Sequence, residues 1–365
     1  MAGSVNGLAS TDVRRHNLSI MLRHLAAEGP CSRSDLAERT GLKRSSITPL
    51  VQILQEAGLL QETTSILAAR GRPRTNLELT GDRFGLLVLQ FDALEITGVV
   101  TTLGGRELAH ESIAHDAPFG DPGPVLDVAA KAMTSLLDAA ARLGSTVIDA
   151  TVVTKSPVGG EPVHVLADAH MGWRSVDVLA ELGQRVSALG GIRAQLSSDA
   201  PLAAQAELRR IGSPSDAIYL RADATTVGGA LIVDGRVVEG AHGFGGSLGH
   251  LAVVPDGALC ACGQHGCLVT ATGEDVAAPS AIGWIARTLQ ILSMAVDPDV
   301  IVVGGLWAPL AESIATAFEA NRPALARSGG MPTTVHAGVL GIDAALLGGI
   351  EAAQQRVLED PERIL

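Results

Sequence analysis

Leu18, Met21, Leu22 and Leu25 recur at the spacing that lines up one face of a helix, and Gly29-Pro30 ends that helix. The stretch before it, Met1 to Thr11, is small and polar, so a disordered tail is expected to about residue 12. Ser32 or Ser34 can cap a short second helix running to Thr40. Gly41 makes a turn, and a third helix begins near Ser45 and runs to Ala57, stopped by Gly58. Counted from Arg33, apolar side chains fall at Leu36, Leu42, Ile47 and Leu50, with Ala37 where two crossing helices come closest. Gly41 stands where a left-handed turn residue is wanted, which completes a helix-turn-helix register. Pro49 fits if the third helix starts near Ser45, with the proline in its first turn. Gln61 to Ala69, the basic tip Arg70-Gly71-Arg72-Pro73-Arg74 and Leu77-Glu78-Leu79 then read as a two-stranded wing.

From Phe84 the pattern changes to buried strands. Leu86 to Phe91, Asp92, Ile96 to Thr102 and Gly104-Gly105-Arg106 form one block. A second block lies 131 positions later: Ile218 to Ala222, Asp223, Val227 to Val233, then Gly235-Arg236. Asp92 aligns with Asp223 and Gly98 with Gly229. Each block predicts three antiparallel strands. Helical stretches follow at Val125 to Leu143 and Val176 to Leu189 after the first, and at Ala277 to Ala295 after the second, with a strand at Val300 to Val303. The duplication predicts two α/β lobes around a cleft.

Charge sharpens this division. The whole chain carries a formal −12, yet up to Thr80 ten basic residues face seven acidic ones, leaving 17 basic against 32 acidic beyond. A basic head on an acidic body can hold phosphates with one end while the body repels them. The groove-reading end of the third helix would present Lys43, Arg44, Ser45, Ser46 and Thr48 to double-stranded DNA. Arg33 and the wing arginines Arg70, Arg72 and Arg74 would add phosphate or minor-groove contacts. Two-fold operators predict a homodimer or homotetramer. No apolar run reaches membrane-spanning length, and the start has neither a basic nor an apolar signal region, so a cytoplasmic protein with no membrane partner is expected.

Aromatic residues are only 2% of the chain, so Ala, Val, Leu and Ile must fill its cores. Three of its four cysteines crowd between Cys260 and Cys267, which suits a metal in a reducing compartment. Cys260, Cys262 and Cys267 with one imidazole, His250 or His265, would complete a tetrahedral, structural zinc site. Cys31 is left over as a buried thiol.

Gly249-His250, the segment from Cys260 to Leu268 and the N-terminal winged module resemble the ROK family (repressors, open reading frames and kinases). Its regulator branch joins a winged helix to a kinase-like body, and the resemblance covers nearly the whole chain. It implies a winged helix-turn-helix over residues 13–81 and a two-lobed actin-like, sugar-kinase α/β domain over 82–365. The small lobe would take residues 82–200 plus the C-terminal helix, and the large lobe about 201–345. It also favours His250 over His265 as the fourth metal ligand.

In ROK kinases the first turn, Asp-x-Gly-Gly-Thr, holds nucleotide phosphates. Here it reads Asp92-Ala93-Leu94-Glu95-Ile96, with bulk at Leu94 and negative charge at Glu95. The second turn, Ala224 to Gly229, keeps part of the glycine pattern, and Gly304-Gly305 resembles the adenosine turn or serves packing. Asp199 matches the family's catalytic aspartate; it is either a ligand contact or a structural carboxylate capping a helix. The family's sugar anchors are replaced by His170, Ser198, Ser247 and Val269. No catalysis is therefore expected. An altered effector, such as a modified or phosphorylated sugar, would meet His170, Ser198, Asp199, Ser247 and His250, or the cleft would hold none. An active sugar kinase with a DNA-binding head, and a protein-interaction scaffold, are the competing readings.

Overall fold

The computed structural model describes residues 10–65, 74–116, 119–273, 279–320, 322 and 333–365. The head opens with α1 (Ser10–Glu28), α2 (Arg33–Thr40) and α3 (Arg44–Glu56). Helix α1 therefore begins two residues before the expected end of the disordered tail; residues 1–9 lie outside the described residues. Ser32, not Ser34, caps α2, its hydroxyl accepting from the Asp35 amide at 3.2 Å. Gly41 closes α2 in the left-handed region at φ 71°. Because α3 starts at Arg44, Pro49 sits in its second turn and not its first. Its missing amide leaves the Ser45 carbonyl without a helical partner, and Ser45 is exposed, so water can take that place.

Strands β1 (Leu60–Ser65) and β2 (Arg74–Leu79) pair antiparallel from Leu60↔Leu79 to Ser65↔Arg74, which is the expected wing. Cys31 adds a bridge to Leu77 with bonds of 3.2 and 2.8 Å, so the residue set aside as a buried thiol also anchors the wing.

The body contains two five-stranded sheets of one topology. The first runs β10-β6-β3-β4-β5, built from β3 (Phe84–Phe91), β4 (Glu95–Thr102), β5 (Glu107–Ala114), β6 (Thr146–Thr154) and β10 (Arg193–Ser198). The second runs β13-β12-β11-β14-β15, from β11 (Ala217–Ala222), β12 (Val227–Val233), β13 (Arg236–Val237), β14 (Val300–Gly305) and β15 (Thr334–Ala337). In each, an antiparallel meander is extended by two parallel strands. The repeat holds to the residue: Leu89 pairs Gly98 as Leu220 pairs Gly229. A Cβ on Gly229 would stand 2.6 Å from the Tyr219 carbonyl, so the second lobe needs bare backbone there; one on Gly98 would press on the Leu136 side chain.

Helix α4 (Gly123–Arg142) covers the first sheet through Val125, Ala129, Met133 and Leu136. The helix expected over Val176 to Leu189 is broken. Strand β9 (Arg174–Val176) takes its first residue, Asp177 caps α5 (Val178–Arg185), and extended backbone at Val186 leads into a short 3-10 turn. Strands β7 (Val158–Gly159) and β8 (His164–Ala167) pair with β9 (Arg174–Val176) in a small third sheet that sequence periodicity did not reveal. Helix α6 (Asp199–Arg210) follows β10, and the C-terminal helix (Ala344–Glu359) crosses behind the first sheet.

That last helix also closes the head. Ala353, Val357 and Leu358 share one buried cluster with Leu18, Met21, Leu36, Ile47, Leu54 and Leu77 of the head, and with Leu86 and Leu103 of the body. Arg356 is tied to the buried Asp149 on β6 and to Thr151 at 2.7 Å. Arg14 pairs with Glu362 at 3.1 Å across the same junction.

Candidate functional sites: a basic helix, a metal cluster and an inter-lobe cleft

Helix α3 has two faces. Ile47, Leu50, Val51 and Leu54 are buried against α1 and α2, while Lys43, Arg44, Ser45 and Thr48 are exposed and Ser46 is half-buried. The positive end of the helix and its two cations thus point away from the core. Arg33 is placed differently: its guanidinium pairs with Glu62 of β1 at 2.6 Å, at the base of the wing. Arg70 and Arg72 lie outside the described residues, and Arg74 begins β2.

His250, Cys260, Cys262 and Cys267 converge, with their ligand atoms all within 4.8 Å of one another. Two edges of that set, Cys260 Sγ to His250 Nδ1 and Cys262 Sγ to Cys267 Sγ, are both 3.6 Å. A tetrahedron with metal–sulfur bonds of about 2.3 Å has edges of about 3.7 Å, so a metal ion fits. His250 supplies the imidazole of that converging set, and His265 is not among its members; His265 Nδ1 instead contacts the Gly257 carbonyl at 2.9 Å. The loop can fold this tightly because Gly266 takes φ 70° and passes so close to the Val254 carbonyl that no side chain fits. Burial, and His170 nearby, hold the His250 ring below its ordinary pKa, in the neutral form a metal requires. Burial and two sulfur neighbours push the Cys267 thiol up to about 12, so protons must leave when a cation binds.

The metal loop forms one wall of the cleft between the lobes. Two adjoining cavities of roughly 470 and 420 Å³ meet there, both lined by Lys155, Ser247 and His250. His170 lines the first, Ser198 and Asp199 the second, so the predicted effector residues are brought to one cleft but split between its two chambers. Asp199 is turned inward. It is the first residue of α6, it is 6% exposed, and its carboxylate lies 3.5 Å from Arg221. Ser198 holds the cap position without a side-chain cap bond and donates instead to the Ser156 carbonyl at 2.9 Å. Burial raises the Asp199 carboxyl above the ordinary range despite Arg221.

The two turn aspartates are joined by a residue that the sequence reading overlooked. Lys155, immediately after β6, places its ammonium between Asp92 of one meander and Asp223 of the other, 2.9 Å from the latter. It also donates to Thr225 Oγ1 at 3.2 Å. Asp223 pairs with Arg221 at 2.7 Å and accepts the amides of Thr225 and Thr226 at 2.9 and 2.8 Å. Burial works to raise Asp223, but Lys155 and Arg221 outweigh it and hold its carboxyl far below the usual range. The chain Asp92–Lys155–Asp223–Arg221–Asp199 thus zips the lobes together where two phosphate-binding turns would open. A single arginine inside Ala-Ile-Tyr-Leu-Arg-Ala was the available signal, because a charge in a buried strand demands a buried partner.

Comparison with known proteins accords with this geometry. The ROK family model matches residues 95–282, just over half the chain, and the MarR family model matches residues 19–71. N-acetylmannosamine kinases of Yersinia pseudotuberculosis and Yersinia pestis are 24% identical over 249 residues, covering 60% of this chain and 82% of theirs. A crystal structure of a ROK family transcriptional regulator, a homolog of the E. coli MLC protein, superposes with a TM-score of 0.72 at 22% identity, over 95% of this chain and 97% of that one. A ROK family glucokinase from Streptomyces griseus, in complex with glucose and AMPPNP, gives 0.57 at 23% identity, over 74% of this chain and 99% of its own. Thus the kinase likeness stops at the body, and the regulator likeness extends through the head. Among the described residues no helix is long and apolar enough to cross a membrane.

Proposed function

The chain belongs to the ROK family, and from that premise we propose that it is a DNA-binding transcription regulator whose kinase-like body no longer transfers phosphate. The observation that carries this reading is the two-faced α3, apolar side chains inward and Lys43, Arg44, Ser45 and Thr48 outward. Lys43, Arg44, Ser45, Ser46 and Thr48 would meet the major groove; Arg70, Arg72 and Arg74 would follow the backbone or the minor groove from the wing. Arg33 contributes only if it leaves Glu62. Loss of phosphotransfer is supported by Lys155, which already pairs with both turn aspartates and lies between them. The body then serves as an effector and oligomerisation domain, with a homodimer or homotetramer presenting two heads to a two-fold operator.

Zinc is the ion that three thiolates and an imidazole suit, held by His250, Cys260, Cys262 and Cys267 as a structural cross-link beside the cleft. An effector in the cleft would change the lobe angle and with it the spacing of the heads. The genes under control belong to carbohydrate or related metabolism, by analogy with the family alone.

A mobility-shift titration on duplexes from the protein's own promoter region tests the reading. The Arg44→Ala, Arg72→Ala double variant should bind more weakly, with its log–log salt slope shallower by about 2, one per lost phosphate contact. The kinase relatives favour one rival, an active sugar kinase with a head attached. ADP release with glucose or N-acetylmannosamine would establish that rival, whether or not duplex binding persists.

A further inference from the structure

The four side chains of the metal cluster do not meet solvent equally. Cys267 is 0% exposed, Cys260 is 5% exposed and His250 is half-buried. Cys262 alone is exposed, and it lines the 470 Å³ chamber of the cleft. Cys31, the remaining cysteine, is buried where the head bridges to its wing. One sulfur of the chain's four is therefore open to a solute in the cleft. A metal requires that sulfur as thiolate, and the thiolate is the form that oxidants attack.

Cys262 also has a second sulfur within reach. Its Sγ lies 3.6 Å from Cys267 Sγ, and a disulfide is about 2.05 Å long, leaving about 1.5 Å to close. The tip of the loop has room to move by that much, because a Cβ on Gly263 would meet nothing within 4 Å. Cys267 stays in place: its backbone bridges Ala252, and its carbonyl accepts the Ala271 amide at 2.9 Å. The chain between the two sulfurs holds Gly263 and Gly266 at φ 91° and 70°, so it already turns back on itself. Cys260 is the poorer partner. Only Ala261 separates it from Cys262, and its backbone is pinned by the Gln264 carbonyl and the Gly263 amide, both at 2.8 Å.

We propose that Cys262 is a hydroperoxide-reactive site with Cys267 as its resolving partner, so that oxidation of this one pair opens the metal cluster. This rests on the reading of the cluster as a zinc site. The Cys262 thiolate attacks one peroxide oxygen; an S–O bond forms, the O–O bond breaks, and the other oxygen leaves as hydroxide or alkoxide. The Cys267 thiolate then attacks the Cys262 sulfur; the S–S bond forms, the S–O bond breaks, and hydroxide leaves. Two electrons pass from two sulfurs to the peroxide. The disulfide withdraws two of the four ligands, and His250 with Cys260 cannot keep the cation alone.

Treating the full-length, zinc-loaded protein with hydrogen peroxide in about tenfold excess tests this, with zinc release followed by a chromophoric chelator. Zinc should be released as two thiols disappear, peptide mapping should find Cys262 joined to Cys267 with Cys31 still free, and dithiothreitol with added zinc should restore the cluster. Cys262→His keeps four ligands and removes the reactive sulfur, so its zinc release should slow at least about tenfold. Should that variant fail to hold zinc, the mapped disulfide of the parent decides. Zinc retained with all thiols intact, a disulfide to Cys260, or equal release from Cys262→His would each overturn the proposal and leave the zinc reading standing. Purified protein without zinc would remove that reading and the proposal with it.

Discussion

Replacing Lys155 with methionine removes one positive charge from between two carboxylates and keeps nearly all of the side-chain volume. Lys155 and Asp223 are each 9% exposed at the side chain and Asp92 is 24% exposed, so water reaches the site poorly. Breaking a buried ion pair by deleting one partner costs about 3–5 kcal/mol. Two features reduce that here. Asp223 keeps Arg221 at 2.7 Å and two backbone amides, and Asp92 is partly wet. What remains is repulsion between carboxylates that shared one ammonium and so stand about 5 Å apart, worth roughly 3 kcal/mol at an effective dielectric of about 20. Lys155→Met should therefore destabilise the body by about 2–3 kcal/mol. Urea unfolding reports this cleanly, because all three tryptophans, Trp173, Trp284 and Trp307, lie in the body and none in the head. Adding Asp92→Asn removes the repulsion and should recover more than half of the loss. A Lys155→Met protein within about 0.5 kcal/mol of the parent, or a double variant no better than the single one, would show that the ion-pair chain does not hold the lobes.

Purified protein should carry one zinc per chain, and Cys267→Ser should lose it and lower the thermal midpoint; less than half an equivalent with folding intact would refute the site. Acid should act through Asp223. Its folded carboxyl lies below the unfolded value of 3.8, so its contribution is full above about pH 4 and is lost as pH falls from there. Asp223→Asn should flatten that limb of the urea midpoint–pH profile, and a limb of unchanged slope would contradict the assignment. Val357→Asp puts an unpaired carboxyl into the cluster shared by head and body, at a cost of about 3 kcal/mol. It should speed amide exchange in α1 while leaving the body's tryptophan emission unchanged; protection equal to the parent's would mean that the C-terminal helix does not support the head.

The head was legible because its information is local. The spacing Leu36, Leu42, Ile47, Leu50 and the glycine at 41 set two helices and the turn between them, and the structure follows them with a start shifted by one position at Arg44. The duplicated meanders were legible for a related reason: Asp92 and Asp223, Gly98 and Gly229 keep their offsets through both copies. The metal set was also visible, although choosing His250 over His265 needed the resemblance; in the structure it is His250 that converges with the three cysteines. What escaped was non-local. Lys155 reads as an ordinary polar residue after a strand, and only the closure of one lobe on another brings it to Asp223, 68 positions away. The split of Val176 to Leu189 into a strand and two short helices escaped because Asp177 caps a helix that periodicity alone extends through it.

The C-terminal helix gives the architecture its mechanical sense. At its start, Gly348 lies so close to the Leu202 carbonyl of α6 that no Cβ fits, and Gly349 packs on Val88 of β3. At its end, Val357 and Leu358 complete the core of the head. Helix α6 itself begins at Asp199, on the cleft and on the ion-pair chain that crosses it. At Gly348 backbone meets backbone without an intervening side chain, so α6 and the C-terminal helix pack tightly together. Arg356, held by Asp149 and Thr151, ties the far end of the helix to β6. That far end meets α1 through a shared apolar core. Head and body are thus joined as one packed layer, and any change of lobe angle in the cleft has a direct route to the orientation of α3.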